Sequence, residues 1–160
     1  MQGILKRIWA KKGSRPEKIR QNRFKYGYIF GATNPDTGER VGMTFTTVDT
    51  EIVNIFLDMI SGHVAENVHV ILVLDNAGYH VSKTLQIPKN VTFLNLPPYS
   101  PQLNPIERVW SYIRSHYLGN LIYESVDHIL EVGCEVWNYL TESLVKSICS
   151  TSWLKEIQAL

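Results

Sequence analysis

Long apolar runs, cysteine clusters and glycine-rich nucleotide loops are all missing from this sequence, and each absence removes a class of function. No apolar stretch approaches the ~18–20 residues that a membrane-crossing helix needs, and Met1 opens no signal-peptide pattern. The chain therefore reads as cytoplasmic, with no membrane partner. Only two cysteines occur, Cys134 and Cys149, without Cys-x-x-Cys spacing. A thiolate zinc site and a disulfide scaffold are excluded, and both cysteines read as small core residues. His63, His69, His116 and His128 stand at no metal-ligand spacing. There is no Gly-x-Ser-x-Gly elbow, no Walker-type phosphate loop and no Gly-x-Gly-x-x-Gly, so hydrolase-triad and nucleotide-fold readings are weak.

Acidic residues are scarce at the amino end. Lys6, Arg7, Lys11, Lys12, Arg15, Lys18, Arg20, Arg23 and Lys25 are interrupted by a single acid, Glu17, although the whole chain carries a net charge of only +1. A block of this kind is the electrostatic footprint of a phosphate-backbone partner, with Lys6, Arg7, Lys11, Lys12 and Arg15 as the nucleic-acid-binding candidates. The alternative is a solvated arm. At 160 residues, with 44% apolar content, the chain is long enough for one domain over 1–160 with a substantial core.

Periodicity supplies the elements. Tyr26, Tyr28 and Phe30 alternate with Gly27, Ile29 and Gly31, and after the turn residues Asn34-Pro35-Asp36-Thr37-Gly38 a second alternation follows at Val41, Met43 and Phe45. This pattern predicts an antiparallel hairpin. Val53, Phe56, Leu57, Ile60 and Val64 mark one face of a helix capped by Asp49 or Thr50. Val70–Leu74 is an uninterrupted apolar run, expected in a sheet interior covered on both faces. Another strand is predicted over Val91–Leu96, then a helix entered through Asn104 and Pro105 and stopped near Gly119. A helix over about 125–140 follows, and one more short helix in the tail, whose apolar residues are Leu144, Val145, Ile148, Trp153 and Leu154. Trp9, beside the turn residues Gly13, Ser14 and Pro16, is the expected anchor onto the core. The order predicts a mixed α/β domain.

Two carboxylates carry the chemistry. Asp75 directly follows the apolar run Val70–Leu74, at the carboxyl end of a strand, where open α/β sheets place ligands. A strand-end Asp also caps turns, which is its structural alternative. Glu107 sits in a helix first turn, three residues after Asn104, and that spacing also fits a capping box. The preceding loop, Leu96-Pro97-Pro98-Tyr99-Ser100-Pro101, spends three prolines on fixing how the helix enters, which makes sense if its first turn must face something accurately. Two oxygen-donor groups, without soft ligands, suit a hard cation, Mg²⁺ or Mn²⁺. Metal pairs held by carboxylates clamp the attacking and leaving oxygens of a phosphoryl displacement. Together with the basic block, the pattern points to phosphodiester chemistry on nucleic acid. His80 is a weaker candidate for orienting water or substrate.

At these residues the sequence resembles a known family. Leu74-Asp75-Asn76-Ala77-Gly78-Tyr79-His80, followed by the long stretch from Leu96 through Asn104-Pro105-Ile106-Glu107 to Trp110, resembles the catalytic core of DDE transposases, in the bacterial insertion-sequence branch of the mariner superfamily. The carboxylates are separated by 31 residues. The resemblance implies a ribonuclease-H-like mixed sheet flanked by helices and a three-carboxylate site holding two divalent metal ions. Asp75 would be the second catalytic and metal-binding carboxylate and Glu107 the third. It implies hydrolysis at transposon ends followed by strand transfer to target DNA, in a homodimer or beside a full-length transposase subunit. The family's first carboxylate lies on a first strand just upstream of the segment resembling Ile4–Gly13, and here no acid precedes Glu17. Glu17, Asp36 and Glu39 are not credible substitutes. The expectation is a domain with its first strand missing or incomplete and no helix-turn-helix region. It is either a transposase catalytic domain completed by an upstream segment or a catalytically inactive remnant that at most binds DNA or a partner subunit.

Overall fold

The computed structural model describes residues 9–14, 17, 26–75 and 84–150. Its centre is a hairpin, β1 (Tyr28–Thr33) against β2 (Arg40–Phe45), antiparallel with Tyr28 opposite Phe45 and Thr33 opposite Arg40. The turn is closed as its residue types require. Asn34 Oδ1 accepts from the Asp36 and Thr37 amides at 2.9 and 3.3 Å, and Gly38 adopts φ +80°. Gly38 is constrained twice, because a β-carbon there would also strike the backbone of Glu142. Replacement of Gly38 by Ala is therefore expected to cost about 2–4 kcal/mol, read as a lowered midpoint in urea unfolding.

The hairpin has two different faces, each committed to a different helix layer. Phe30 on one face meets Phe56 of α1 (Thr50–His63), with ring centroids 5.7 Å apart. Of the two predicted caps it is Asp49 that serves α1, accepting from the Ile52 amide at 2.9 Å, while Ile52, Val53, Phe56, Leu57 and Ile60 are buried. The other face pairs Gly31 with Gly42 across the strands. Those two glycines leave a slot filled by Trp137 of α3 (Val126–Tyr139), and a β-carbon on either would strike its indole. Trp110 of α2 (Ile106–His116) lies against Trp137 at 5.6 Å. The main core lies on this side, where Val109, Ile113, Val136, Trp137, Leu140, Val145 and Cys149 join α2, α3 and α4 (Glu142–Cys149). Arg40 reaches from β2 to the last carbonyls of α3, on Asn138 and on Trp137, the latter also accepting from the Leu140 amide at 3.3 Å.

A second pair of strands, β3 (Val70–Leu74) and β4 (Val91–Asn95), is parallel, with Val70 opposite Val91 and Leu74 opposite Asn95. α1 spans both sheets: it packs on the hairpin through Phe56 and is tied to the start of β4 by Ser61, whose hydroxyl donates to Asn90 at 2.6 Å.

The mixed α/β class holds, but the expected single sheet is in two pieces among the described residues, β1 with β2 and β3 with β4. The expectation of a missing or incomplete first strand, just upstream of the segment resembling Ile4–Gly13, falls on residues outside the described ones. The expectation that β3 is covered on both faces needs correction, since Ile71 is 65% exposed and Leu94, two residues along from its cross-strand partner Thr92 and on the same face, 54%. Layer coverage reaches only the Leu72 and Leu74 side. Trp9 is fully exposed rather than anchored, beside a turn in which Ser14 bonds back to the Lys11 carbonyl. The tail helix is found at Glu142–Cys149, and residues 151–160 lie outside the described residues. Past α2 the left-handed residue is Asn120, at φ 63°, and not Gly119.

Candidate active site

Strand direction takes the chain out of β3, at Asp75, and out of β4, toward Glu107, at one end of the sheet. Because β3 and β4 are parallel and in register, both end on the same side, and the Leu96 amide donates to the Leu74 carbonyl at 2.9 Å just before the chains part. Asp75 is the next residue after β3 and is exposed to solvent. From β4 the chain leaves through Leu96–Ser100, makes one 3₁₀ turn at Pro101–Leu103 and enters α2, with Glu107 in its first turn and half-buried. Electrostatically this is a favourable place for an acid, since the unpaired amides of a helix start carry partial positive charge.

The capping box suggested by the Asn104–Glu107 spacing does not form. The Asn104 amide donates instead to Pro101 O at 3.0 Å, because the 3₁₀ turn already satisfies it, and Asn104 Oδ1 accepts a long 3.4 Å bond from the Ile106 amide. Among the described residues the Glu107 carboxylate has no hydrogen bond or ion pair, so no capping duty occupies its oxygens.

The turn that carries Glu107 is braced from behind by α4. Arg108 Nη1 donates to the Ser150 carbonyl at 2.6 Å, where a cation also complements the negative end of α4. Cys149 Sγ donates to Pro105 O at 3.9 Å and lies 3.8 Å from Thr33 Oγ1. Nothing in the sequence announces this brace, because its partners are 42 and 44 residues apart. Burial pushes the Cys149 thiol up from its ordinary value, against smaller downward pulls from Thr33 and the Arg108 charge. The neutral thiol is thus the form the fold holds, and its contribution to stability is present below the unfolded thiol pKa and lost as pH rises through the folded one. Cys134, by contrast, is exposed, 3.2 Å from Thr44 Oγ1, which corrects its reading as a core residue. A disulfide reagent at mildly alkaline pH is expected to modify one thiol, Cys134, in the native chain and the second only after denaturant is added, counted by absorbance.

Of the basic candidates, Lys11 and Lys12 stand exposed beside the Lys11–Ser14 turn, while Lys6, Arg7 and Arg15, like His80, fall outside the described residues. Among the described residues no group of three or more His, Cys, Asp or Glu is gathered closely enough to hold a metal ion. Among the described residues, then, Asp75 and Glu107 are not joined by a third such donor. One feature of this edge had no sequence forecast: Tyr99, within the proline loop, has φ 57° and a fully exposed ring. Its only sequence signal is the Pro-Pro-Tyr-Ser-Pro context, whose prolines restrict the residues on either side of it, Pro98 and Ser100.

Residues 2–129 match the family model described as DDE superfamily endonuclease. An uncharacterised protein of Sinorhizobium fredii, y4pE/y4sA, is 40% identical over 117 residues, covering 73% of this chain and 87% of that protein. The transposable element Tc3 transposase of Caenorhabditis elegans is 32% identical over 78 residues, covering 46% of this chain and 24% of the transposase. No solved structure matches significantly. No helix among the described residues is long and apolar enough to cross a membrane.

Proposed function

The chain belongs to the DDE superfamily of endonucleases, and on that premise we propose that it serves in DNA transposition as the catalytic domain, or part of one, cleaving DNA strands and joining them to a target. What supports this reading is Asp75 at the carboxyl end of β3 together with, in the helix that follows the neighbouring parallel strand, a Glu107 carboxylate with no hydrogen bond or ion pair among the described residues. Asp75 and Glu107 would hold Mg²⁺ or Mn²⁺, for which carboxylate oxygens are the right donors. When bound, such ions activate a water or a 3′-hydroxyl and stabilise charge on the leaving oxygen. The chain's own work is to set the donors. The Leu74–Leu96 bond fixes where Asp75 leaves the sheet, and the Pro105–Arg108 turn, held by Ser150 and Cys149, fixes Glu107. Lys11 and Lys12, with Lys6, Arg7 and Arg15, would neutralise the DNA backbone.

On this reading two donors do not hold two metal ions, and the third carboxylate that the family resemblance implies would be supplied by an acidic strand or by a partner transposase chain. β1 and β3 each have one strand partner among the described residues, and β3 is apolar along its whole length, which is poor chemistry for a permanent edge. A strand entering there would pair both. A second reading, an inactive remnant that binds DNA or a partner subunit, is favoured by the same shortage of donors. The two are separated by nicking of supercoiled plasmid in Mg²⁺ or Mn²⁺, with the chain as it stands and with an acidic strand added at its amino end. Cleavage by either form supports the catalytic reading; salt-sensitive DNA binding with no cleavage by both supports the remnant. The chain's place would be the cytoplasm, on nucleoid DNA.

A further inference from the structure

We propose that Tyr99 is a substrate-contacting residue whose ring stacks on an unpaired DNA base beside the phosphodiester that Asp75 and Glu107 handle. The proposal rests on the functional reading above. Tyr99 has φ 57°, a left-handed conformation that glycine adopts freely and that a residue with a side chain holds only under constraint. The constraint is visible. Prolines flank it at 97, 98 and 101, Ser100 Oγ donates to Pro98 O at 3.3 Å, and the 3₁₀ turn begins two residues on, at Pro101. What this achieves is not packing, because the ring is 101% exposed and makes no aromatic contact or hydrogen bond among the described residues. A fold with no use for the ring would be better served by glycine at this position.

Position decides what the ring meets. Leu96 is bonded to the backbone beside Asp75, and Tyr99 is three residues further on, so its backbone lies within about 10 Å of that point. A nucleotide bound at the carboxylate edge brings its base into that range. Paired bases inside a duplex are already stacked on both faces; an unpaired one offers a free face, and tyrosine stacks on any base without needing its sequence. Flanking prolines remove the entropy cost of presenting the ring.

The test is binding by the full chain, in EDTA, to a blunt duplex oligonucleotide and to a forked duplex of equal length carrying 2-aminopurine in its unpaired end. The wild-type chain is expected to prefer the fork and to quench 2-aminopurine fluorescence. Tyr99→Ala and Tyr99→Gly should lose the quenching and about tenfold in fork affinity, with duplex affinity unchanged, whereas Tyr99→Phe keeps both. Tyr99→Gly should also unfold at the same temperature as wild type or higher, since strain is relieved and no packing is lost. Equal loss on fork and duplex, or a fall in unfolding temperature that parallels the binding loss, would show a structural residue and overturn the proposal. Unchanged fork binding in Tyr99→Ala overturns it while leaving the assignment of Asp75 and Glu107 standing. Failure of the wild-type chain to bind either DNA overturns the nucleic-acid reading and this proposal with it.

Discussion

Plasmid nicking by the chain carrying an added acidic strand is expected to fall at least about a thousandfold, roughly 4 kcal/mol of transition-state stabilisation, when Asp75 is replaced by Asn or Glu107 by Gln. Each change keeps the shape of the side chain and removes the charge that holds a hard cation. The two should not be additive, because each loss alone leaves too few anionic donors for the metal pair. Folding should be nearly indifferent. Asp75 is exposed and Asn keeps its shape, and Glu107 makes no side-chain bond among the described residues, so neither change opens a cavity in the core. Unchanged circular dichroism and unchanged DNA binding in EDTA, alongside lost nicking, are the expected signature. Nicking that survives both substitutions would remove these residues from the reaction. The contrast with Arg108 is useful, since Arg108→Ala breaks the bond to Ser150 and acts through the position of the Glu107 turn instead of through a donor.

The largest structural loss is expected from Trp137→Ala, at about 3–5 kcal/mol in denaturant unfolding. Trp137 is the residue on which the hairpin and the helical layer meet. Its indole fills the slot left by Gly31 and Gly42, stacks near Trp110 and belongs to the buried cluster of α2, α3 and α4. Removing it leaves a cavity bounded by two residues without side chains, which the backbone of a paired hairpin cannot collapse to fill. The converse change makes the same point from the strand side. Gly42→Ala places a methyl where the indole already is and should be destabilising alone, yet less so in a Trp137→Phe background. Coupling in that double-mutant cycle, of about 1 kcal/mol or more, would identify steric fit as the cause. Two additive losses would argue against it.

The elements themselves were legible because their signals are local. Alternation at Tyr28, Phe30, Met43 and Phe45 describes a hairpin face, and the structure pairs those residues in register. Asn34 and Gly38 are turn chemistry, and Asp49 is a cap. The places of Asp75 and Glu107 on their elements were legible for a similar reason: a charged residue after an apolar run, and another in a helix start, are positions that short-range chemistry dictates. What misled was the same local logic carried one step too far. Asn104 and Glu107 have capping-box spacing, but a 3₁₀ turn upstream had already used the Asn104 amide. Trp9 looked like an anchor because large aromatics usually are, and it is exposed.

Sequence alone was enough to determine the order and kind of the elements, the places of Asp75 and Glu107 on them and the family resemblance, since each depends on residues a few positions apart. Tertiary structure decided everything that depends on residues distant in the chain. It matched glycines 31 and 42 to a tryptophan at 137, and braced the Glu107 turn with the end of α4. It also left that carboxylate uncommitted and showed which aromatic ring has no packing to do. Those are outcomes of competition for the same amides, slots and surfaces, and competition is settled only when all the competitors are in place.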